Sequence, residues 1–160
     1  MEVAILIGLQ ASGKTTFCRQ ALAADHEVVS KDAFRNARHP QRRQMRLVHE
    51  ALAAGRSVAV DNTNPSPQEW QPLIDAARAY GATTVGYWFP PDPAAARDRN
   101  ARRPGRARVP DVGLYATLKR LRRPRRSDGF DRLYQVTVNG AGGFDVRPMP
   151  DEESSASAPD

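Results

Sequence analysis

The segment from Val3 to Thr16 (VAILIGLQASGKTT) constrains the fold more than any other part of the chain. It joins a short continuous apolar run, typical of a strand buried on both faces, to a loop bracketed by Gly8 and Gly13. A predicted helix then runs from Lys14 to Ala24. A strand, a glycine-containing turn and a helix in this order form the first unit of a parallel sheet whose faces are covered by helices.

The rest of the chain repeats this alternation of strand and helix. Further strands are predicted, in order, at residues 27–30, 57–61, 83–89 and 132–138. Helices are predicted between them, at about residues 32–55 (interrupted at Pro40), 66–80, from 92 onward, and 111–122. The predicted fold class is therefore α/β, a parallel sheet of about five strands with helices on both faces. Functional residues should follow the carboxyl ends of these strands, where such sheets bind their ligands.

Length and composition predict one folded domain followed by an acidic tail. The chain has 160 residues, of which 40% are hydrophobic, enough for a single core. The domain is predicted over residues 1–146, and the acidic residues 147–160 are predicted to be disordered. No apolar run is long enough to span a membrane, no basic leader opens the chain, and the single cysteine, Cys18, cannot form an internal disulfide. These features predict a cytoplasmic protein with no membrane partner.

Residues 8–15 (GLQASGKT) fit the pattern G-x-x-x-x-G-K-[ST], after an apolar strand and at the start of a helix, as that pattern requires. Glycines let the backbone curl so that its N–H groups point at phosphate oxygens, and the helix adds its positive end. Lys14 is predicted to reach the β- and γ-phosphates of a nucleotide, and the Thr15 hydroxyl to bind Mg²⁺. The predicted nucleotide-binding residues here are Gly8, Gln10, Ala11, Ser12, Gly13, Lys14, Thr15 and Thr16.

The surroundings of this phosphate loop favour an ATP-dependent kinase. An N-K-x-D motif, which selects guanine, is missing, and the chain is short for a motor or an AAA+ module. The segment VAVD ends in Asp61 without a second acid. In SKDAFR, after the second strand, Asp32 is a candidate to accept the proton of an attacking hydroxyl. Helix N-capping is the alternative role for Asp32, and Ser30 could also perform it.

Basic residues are concentrated in two groups. The chain carries a net charge of +6, and ten Lys or Arg residues stand against one acid between Ala101 and Arg126. The second group is Arg35, Arg38, Arg42, Arg43 and Arg46. Such a surface favours a polyanionic partner, although a general enrichment in arginine would give the same composition.

Four segments, GLQASGKTTF, VSKDAFR, VAVDNTNPSPQEW and RNARRPGRARVP, resemble in order and spacing the kinase domain of polynucleotide 5′-hydroxyl kinases, both the phage type and the animal kinase–phosphatases. The resemblance covers about residues 2–139 and implies a P-loop kinase-like sheet with an arginine-rich lid. It implies that Asp32 is the general base and that Arg35 orients the acceptor. It also implies that a lid arginine, Arg103 or its neighbour Arg99, clamps the nucleotide phosphates.

The same resemblance assigns the loop after the third strand to the acceptor. The matching residues are Asp61, Asn62, Thr63 and Asn64, with Thr63 as the preferred contact. The expected reaction is transfer of the γ-phosphate of ATP, with Mg²⁺, to a 5′-hydroxyl end of a nucleic acid. No D-x-D-x-T phosphatase motif is present, so a phosphatase or ligase would be a separate partner. Two alternatives remain: a kinase of a small hydroxylated metabolite or antibiotic, and an ATP-binding module without catalysis.

Overall fold

The computed structural model describes residues 1–150, apart from the side chain of Arg106, and forms one six-stranded sheet with helices on both faces. The strands are β1 (Glu2–Ile7), β2 (His26–Val29), β3 (Ser57–Val60), β4 (Thr83–Trp88), β5 (Arg132–Val138) and β6 (Phe144–Pro148). Their order across the sheet is β2-β3-β1-β4-β5-β6, and all neighbouring pairs are parallel except β5 with β6. The predicted α/β class with a parallel sheet is confirmed.

The antiparallel strand β6 was not predicted from the sequence. It follows a turn with glycines at positions 140, 142 and 143, and most of its residues are exposed, so it lacks the buried apolar run that marks the other strands. Pairing with β5 holds it in place. Because β6 extends to Pro148, the folded region continues two residues beyond the boundary expected at residue 146. Residues 151–160 of the predicted tail lie outside the described residues.

Five helices and three short 3₁₀ turns (Lys31–Phe34, Gly105–Ala107 and Arg126–Asp128) connect the strands of the described residues. The helices are α1 (Lys14–Ala21), α2 (Pro40–Ala53), α3 (Pro67–Ala79), α4 (Pro93–Ala101) and α5 (Asp111–Arg120). The helical prediction over residues 32–55 separates into the 3₁₀ turn Lys31–Phe34 and α2, because proline disfavours helical geometry in the residue before it and is well suited to a first helical position. No helix among residues 1–150 is long and apolar enough to cross a membrane.

The central strand β1 divides the core into two parts. Val3, Ile5 and Ile7 pack on the side of α2 and α3, whereas Ala4 and Leu6 pack on the side of α1. All five side chains are fully buried, which explains why this strand reads as a continuous apolar run. With β1 fixed in this way, the loop that follows Ile7 is held at the carboxyl edge of the sheet, beside the turns after β2 and β3.

Candidate active site

The loop between β1 and α1 has a backbone shape that only small residues permit. Gly13 has a φ of +96°, in the left-handed region that favours glycine, and Ala11 adopts a φ of +58°. A Cβ atom at Gly8 would lie 2.8 Å from the Cβ atom of Phe89. The aromatic ring of Phe144 in β6 lies against Gly13, 3.1 Å from where a Cβ atom would be. The loop is therefore held between the end of β4 and β6, at the start of α1.

The side chain of Lys14 is buried within this loop, with only 6% of its surface exposed. Its ammonium group donates to the backbone oxygen of Gly8 at 3.0 Å, to that of Leu9, and to the Ser12 hydroxyl at 3.3 Å. The pKa of Lys14 is lowered to about 8, mainly by burial; Asp61 opposes this shift, the positive charge of Arg103 contributes to it, and Asp32 opposes it. The site thus contains a buried ammonium group, and a phosphate bound beside it would stabilise its positive charge.

Asp61, at the end of β3, lies against the hydroxyl of Thr15 rather than out in the acceptor loop. The Thr15 hydroxyl donates to Asp61 Oδ2 at 2.9 Å, and Asp61 is buried. Burial raises the pKa of Asp61, although the Thr15 hydrogen bond and the charge of Lys14 lower it. Hydroxyl and carboxylate oxygens are the donors that Mg²⁺ prefers, and Mg²⁺ takes much of its coordination from phosphates and water. The pair fits Mg²⁺, and the described residues contain no cluster of three or more acidic, His or Cys metal ligands.

The 3₁₀ turn after β2 presents Asp32 to the same cleft. The hydroxyl of Ser30 accepts a hydrogen bond from the backbone N–H of Asp32 at 3.3 Å, so Ser30 caps this turn. The Asp32 side chain is 82% exposed and lies 3.9 Å from Arg35 Nη2. Capping is therefore assigned to Ser30, and the Asp32 carboxylate remains accessible to a reactant.

The loop after β3 supports the phosphate loop as well as lining the cleft. The backbone oxygen of Thr63 accepts from the N–H of Gly8 at 3.0 Å. Asn62 accepts from the backbone N–H of Lys31 at 2.9 Å and donates to Gln44 at 2.6 Å, which ties this loop to the Asp32 turn. Asn64 is buried, and the structure does not bring its side chain to the cleft.

Asn64 instead joins the ends of two strands beneath the phosphate loop. Its amide donates to the backbone oxygens of Leu6 at 2.8 Å and Val60 at 3.4 Å, and its φ of +42° is one that asparagine tolerates. We expect Asn64→Ala to lower stability by about 2 kcal/mol and the Tm by roughly 4–8 °C, because it loses the hydrogen bonds and strains the backbone. Asn64→Gly relieves only the strain, so thermal denaturation of both variants separates the two effects. An unchanged Tm for Asn64→Ala would contradict this structural role.

Helices α4 and α5 form the base of the lid on the phosphate loop. Arg99 Nη1 donates to the backbone oxygen of Ala11 at 3.3 Å. Gln10 Nε2 donates to the hydroxyl of Thr117 at 2.8 Å, a contact between residues 107 positions apart. Sequence reasoning missed Thr117, because nothing in its local pattern distinguishes it from other polar residues of an amphipathic helix.

These elements enclose a cleft of about 610 Å³ at the carboxyl edge of the sheet. It is lined by every sequence-predicted site residue except Gly8, Ser12 and Asn64. Lys31, Ala107 and Val109 also line it and were not predicted. A second cavity of about 200 Å³ lies beside it, between Ser12, the Phe89–Asp92 turn and the end of β5, and Arg99 borders both.

Only part of the basic residues lines the cleft. Arg35 of one basic group and Arg103 of the other line it, together with Arg99. By contrast, Arg120 pairs with Glu69, and Arg122 pairs with Asp128 and lies 5.7 Å from the Trp70 ring. The carboxyl-terminal part of the basic segment at 101–126 therefore makes contacts with the start of α3 and the turn before β5.

Comparison with known proteins identifies the family. Residues 3–125 match the family described as AAA domain. The bifunctional polynucleotide phosphatase/kinase of Schizosaccharomyces pombe is 24% identical over 139 residues, which cover 84% of this chain and 33% of that protein. The chain thus spans about a third of the length of this curated relative.

Among the solved structures that share the fold are two kinases. A gluconokinase from Sinorhizobium meliloti 1021 has a TM-score of 0.63 and 20% identity, covering 86% of this chain and 82% of that chain. A fungal RNA kinase has a TM-score of 0.68 and 15% identity, covering 86% of this chain and 38% of that chain. At these identities the likeness shows the fold alone, which is that of P-loop kinases.

The matched family is described as AAA domain, whereas the short length of the chain was expected to exclude an AAA+ module. That expectation does not stand. The matched residues run from β1 through the phosphate loop, the Asp32 turn and the lid. The expectation of a P-loop kinase domain is confirmed by this match together with the kinases among its relatives. The chain belongs to the AAA domain family and has the fold of the P-loop kinases.

Proposed function

We propose that this kinase domain transfers the γ-phosphate of ATP to the 5′-hydroxyl end of a nucleic acid. The observation that carries the proposal is a single cleft that contains both a phosphate-binding loop and an accessible carboxylate–arginine pair. Lys14 and Thr15 belong to the phosphate-binding loop, and Asp32 and Arg35 form the carboxylate–arginine pair. A nucleotide and a hydroxyl acceptor could therefore meet in one place.

At the nucleotide end, the curled backbone of residues 8–13 would donate N–H groups to phosphate oxygens, and Lys14 would move from the loop carbonyls to the β- and γ-phosphates. Arg99 and Arg103 would offset charge from the lid side. Thr15 and Asp61 would hold Mg²⁺, which would offset the negative charge of the phosphates. The second cavity, beside the loop, is a candidate place for the nucleotide base.

At the acceptor end, Asp32 would accept the proton of the attacking 5′-hydroxyl. The hydroxyl oxygen forms a bond to the γ-phosphorus, the bond from that phosphorus to the bridging oxygen breaks, and ADP leaves. Arg35, 3.9 Å from the Asp32 carboxylate, would hold that carboxylate in place and contact the acceptor. Most of the acceleration would come from placement and electrostatics, because phosphoryl transfer requires little covalent chemistry from the protein.

Two features support a nucleic acid over a small acceptor. Arg35 lies in the cleft, and α2 continues from this side with Arg42, Arg43 and Arg46 exposed and no acid in its first turn. Such a surface favours a polyanion. The curated relative is named as a polynucleotide phosphatase/kinase and one structural relative as an RNA kinase.

A small hydroxylated metabolite is the second candidate acceptor. The gluconokinase that shares the fold is matched over 82% of its length, so its chain is of similar size to this one. In that case the Asp32 mechanism would be unchanged and the basic surface of α2 would not contribute to binding.

Salt dependence separates the two candidates. If nucleic acid phosphates contact this surface, affinity for a 5′-hydroxyl oligonucleotide should fall steeply with salt, and Arg35→Ala should reduce the slope of log affinity against log salt by about one unit. The affinity of Arg35→Ala for an ATP analogue should be within about twofold of the wild-type affinity. Arg56→Ala is the matched control, because Arg56 pairs with Glu27 near the amino-terminal ends of β2 and β3, away from the carboxyl ends where the cleft lies. A flat response in wild type would favour the small-metabolite acceptor.

A further inference from the structure

The buried amide of Asn100 closes the arginine-rich loop of the lid. Asn100 lies in the last turn of α4 and is completely buried. Its Oδ1 accepts from the backbone N–H of Val109 at 2.8 Å, and its Nδ2 donates to the backbone oxygen of Val109. Its own backbone oxygen accepts from the N–H of Arg103 at 3.1 Å. Both ends of the segment 103–109 are therefore attached to one residue.

The loop closed in this way has a high density of positive charge. The segment 103–109 contains three arginines and no acid, at positions 103, 106 and 108, and Arg102 directly precedes it. Like charges so close together repel one another. Within the loop, Arg103, Ala107 and Val109 face the cleft. The two hydrogen bonds between Asn100 and Val109 oppose this repulsion at the point where the loop rejoins α5.

The residue that holds the loop is itself anchored to the phosphate loop. Ala96, one turn before Asn100, packs with Leu9 of the phosphate loop and Leu114 of α5 in a small apolar cluster. Arg99, the preceding residue, donates to Ala11. On the other side, Val109 lies so close to Gly113 that a Cβ atom there would be 3.0 Å from it. Asn100 therefore connects the arginine loop to a base that is packed against the phosphate loop.

We propose that Asn100 is a positioning residue for nucleotide binding: its amide fixes the loop so that Arg103 is held in the cleft before the nucleotide arrives. The inference rests on the proposed function in one respect, that Arg103 contacts the phosphates of ATP. It does not depend on which acceptor the enzyme uses. Holding the guanidinium in place beforehand removes the ordering cost that binding would otherwise include.

Limited proteolysis by trypsin tests the loop directly, because trypsin cleaves after arginine. Asn100→Ala should speed cleavage after Arg102 and Arg106 by about tenfold or more, since local opening of the loop becomes easier. Cleavage in α2 should keep its wild-type rate. Asp98→Asn, an exposed change on the same helix, is the matched control and should leave the loop as resistant as wild type. Wild-type resistance in Asn100→Ala would overturn the proposal.

A double-mutant cycle tests whether Asn100 acts through Arg103. Affinities for Mg²⁺ with a non-hydrolysable ATP analogue are measured for wild type, Asn100→Ala, Arg103→Ala and the double variant. Asn100→Ala should weaken binding by about tenfold alone and by less than about twofold when Arg103 is already alanine. Multiplicative effects of the two changes would contradict the positioning role. If Arg103→Ala alone leaves affinity unchanged, the phosphate contact assumed for Arg103 is wrong, and so is the proposal.

Val109→Pro supplies the second variant, in case Asn100→Ala does not fold. Proline removes the N–H that donates to Asn100 and leaves the buried amide itself in place. Arg108, with φ −76° and ψ 125°, has the extended geometry that a following proline requires. The variant should reproduce both faster cleavage after Arg106 and the weaker nucleotide binding. Wild-type behaviour in both assays would overturn the proposal, whereas failure to phosphorylate oligonucleotides would affect only the proposed function.

Discussion

Asp32→Asn is expected to lower the rate of phosphoryl transfer by about two to four orders of magnitude, the usual range for loss of a general base. The amide cannot accept the proton of the attacking hydroxyl. Affinity for Mg·ATP should stay near wild type, because the nucleotide is held by the phosphate loop and the lid. Stability should also be unchanged, since Ser30 and not Asp32 caps the 3₁₀ turn and the Asp32 side chain is 82% exposed.

Three measurements on one preparation check this expectation: nucleotide affinity, Tm and single-turnover transfer rate. Asp25→Asn is the matched control, as it removes an exposed carboxylate that does not line the cleft. If Asp32→Asn retains near-normal transfer, the mechanism proposed for Asp32 is wrong, although the nucleotide site would remain. If it loses transfer only because the protein unfolds, the role of Asp32 is structural.

Lys14→Ala is expected to lower transfer by about 10³-fold or more, because the backbone N–H groups alone do not neutralise the migrating phosphoryl group. Lys119→Ala, an exposed change in the last turn of α5, should have wild-type activity. Because Lys14→Ala also removes a buried ammonium group, the Tm of this variant should not fall greatly. Wild-type turnover in Lys14→Ala would contradict the phosphate-loop assignment.

The pKa of Lys14 predicts how nucleotide affinity depends on pH. In the free protein this pKa is lowered to about 8, and phosphates bound beside the ammonium group would raise it. Binding above pH 8 therefore includes uptake of a proton, and affinity should fall as the pH rises, by up to about tenfold per pH unit. Lys14→Ala should lose this dependence, and titration of an ATP analogue between pH 7 and 10 measures it. An unchanged pH profile in Lys14→Ala would assign the effect to another group.

Local patterns in the sequence predicted the parts of the site that are built locally. The apolar run of β1, the two glycines that follow it and Lys14 all lie within about fifteen residues, so the sequence pattern alone predicted the phosphate loop. The turn that carries Asp32 likewise follows a recognisable strand. The sequence predicted Asp61 as part of the site, but not its contact with Thr15, which is 46 residues away along the chain.

The unpredicted features depend on contacts between distant or inconspicuous residues. Asn64 was assigned to the acceptor because the resemblance matches the whole loop at residues 61–64 to the loop that contacts the acceptor, whereas its amide is turned inward to Leu6. The Gln10–Thr117 contact joins elements 107 residues apart. The hydrogen bonds between Asn100 and Val109 form only when the loop between them is folded. Only the packed structure brings these groups together.

The central claim is the identity of the acceptor, and a labelled-phosphate transfer assay tests it most directly. The protein is incubated with γ-labelled ATP, Mg²⁺ and matched acceptors: 5′-hydroxyl DNA and RNA oligonucleotides, the same oligonucleotides already carrying a 5′-phosphate, nucleosides, gluconate and other sugars. We expect label at the 5′ end of the 5′-hydroxyl oligonucleotides, none on the 5′-phosphorylated ones, and loss of transfer in Asp32→Asn. Efficient labelling of a sugar or other small metabolite, with none on any oligonucleotide, would contradict it.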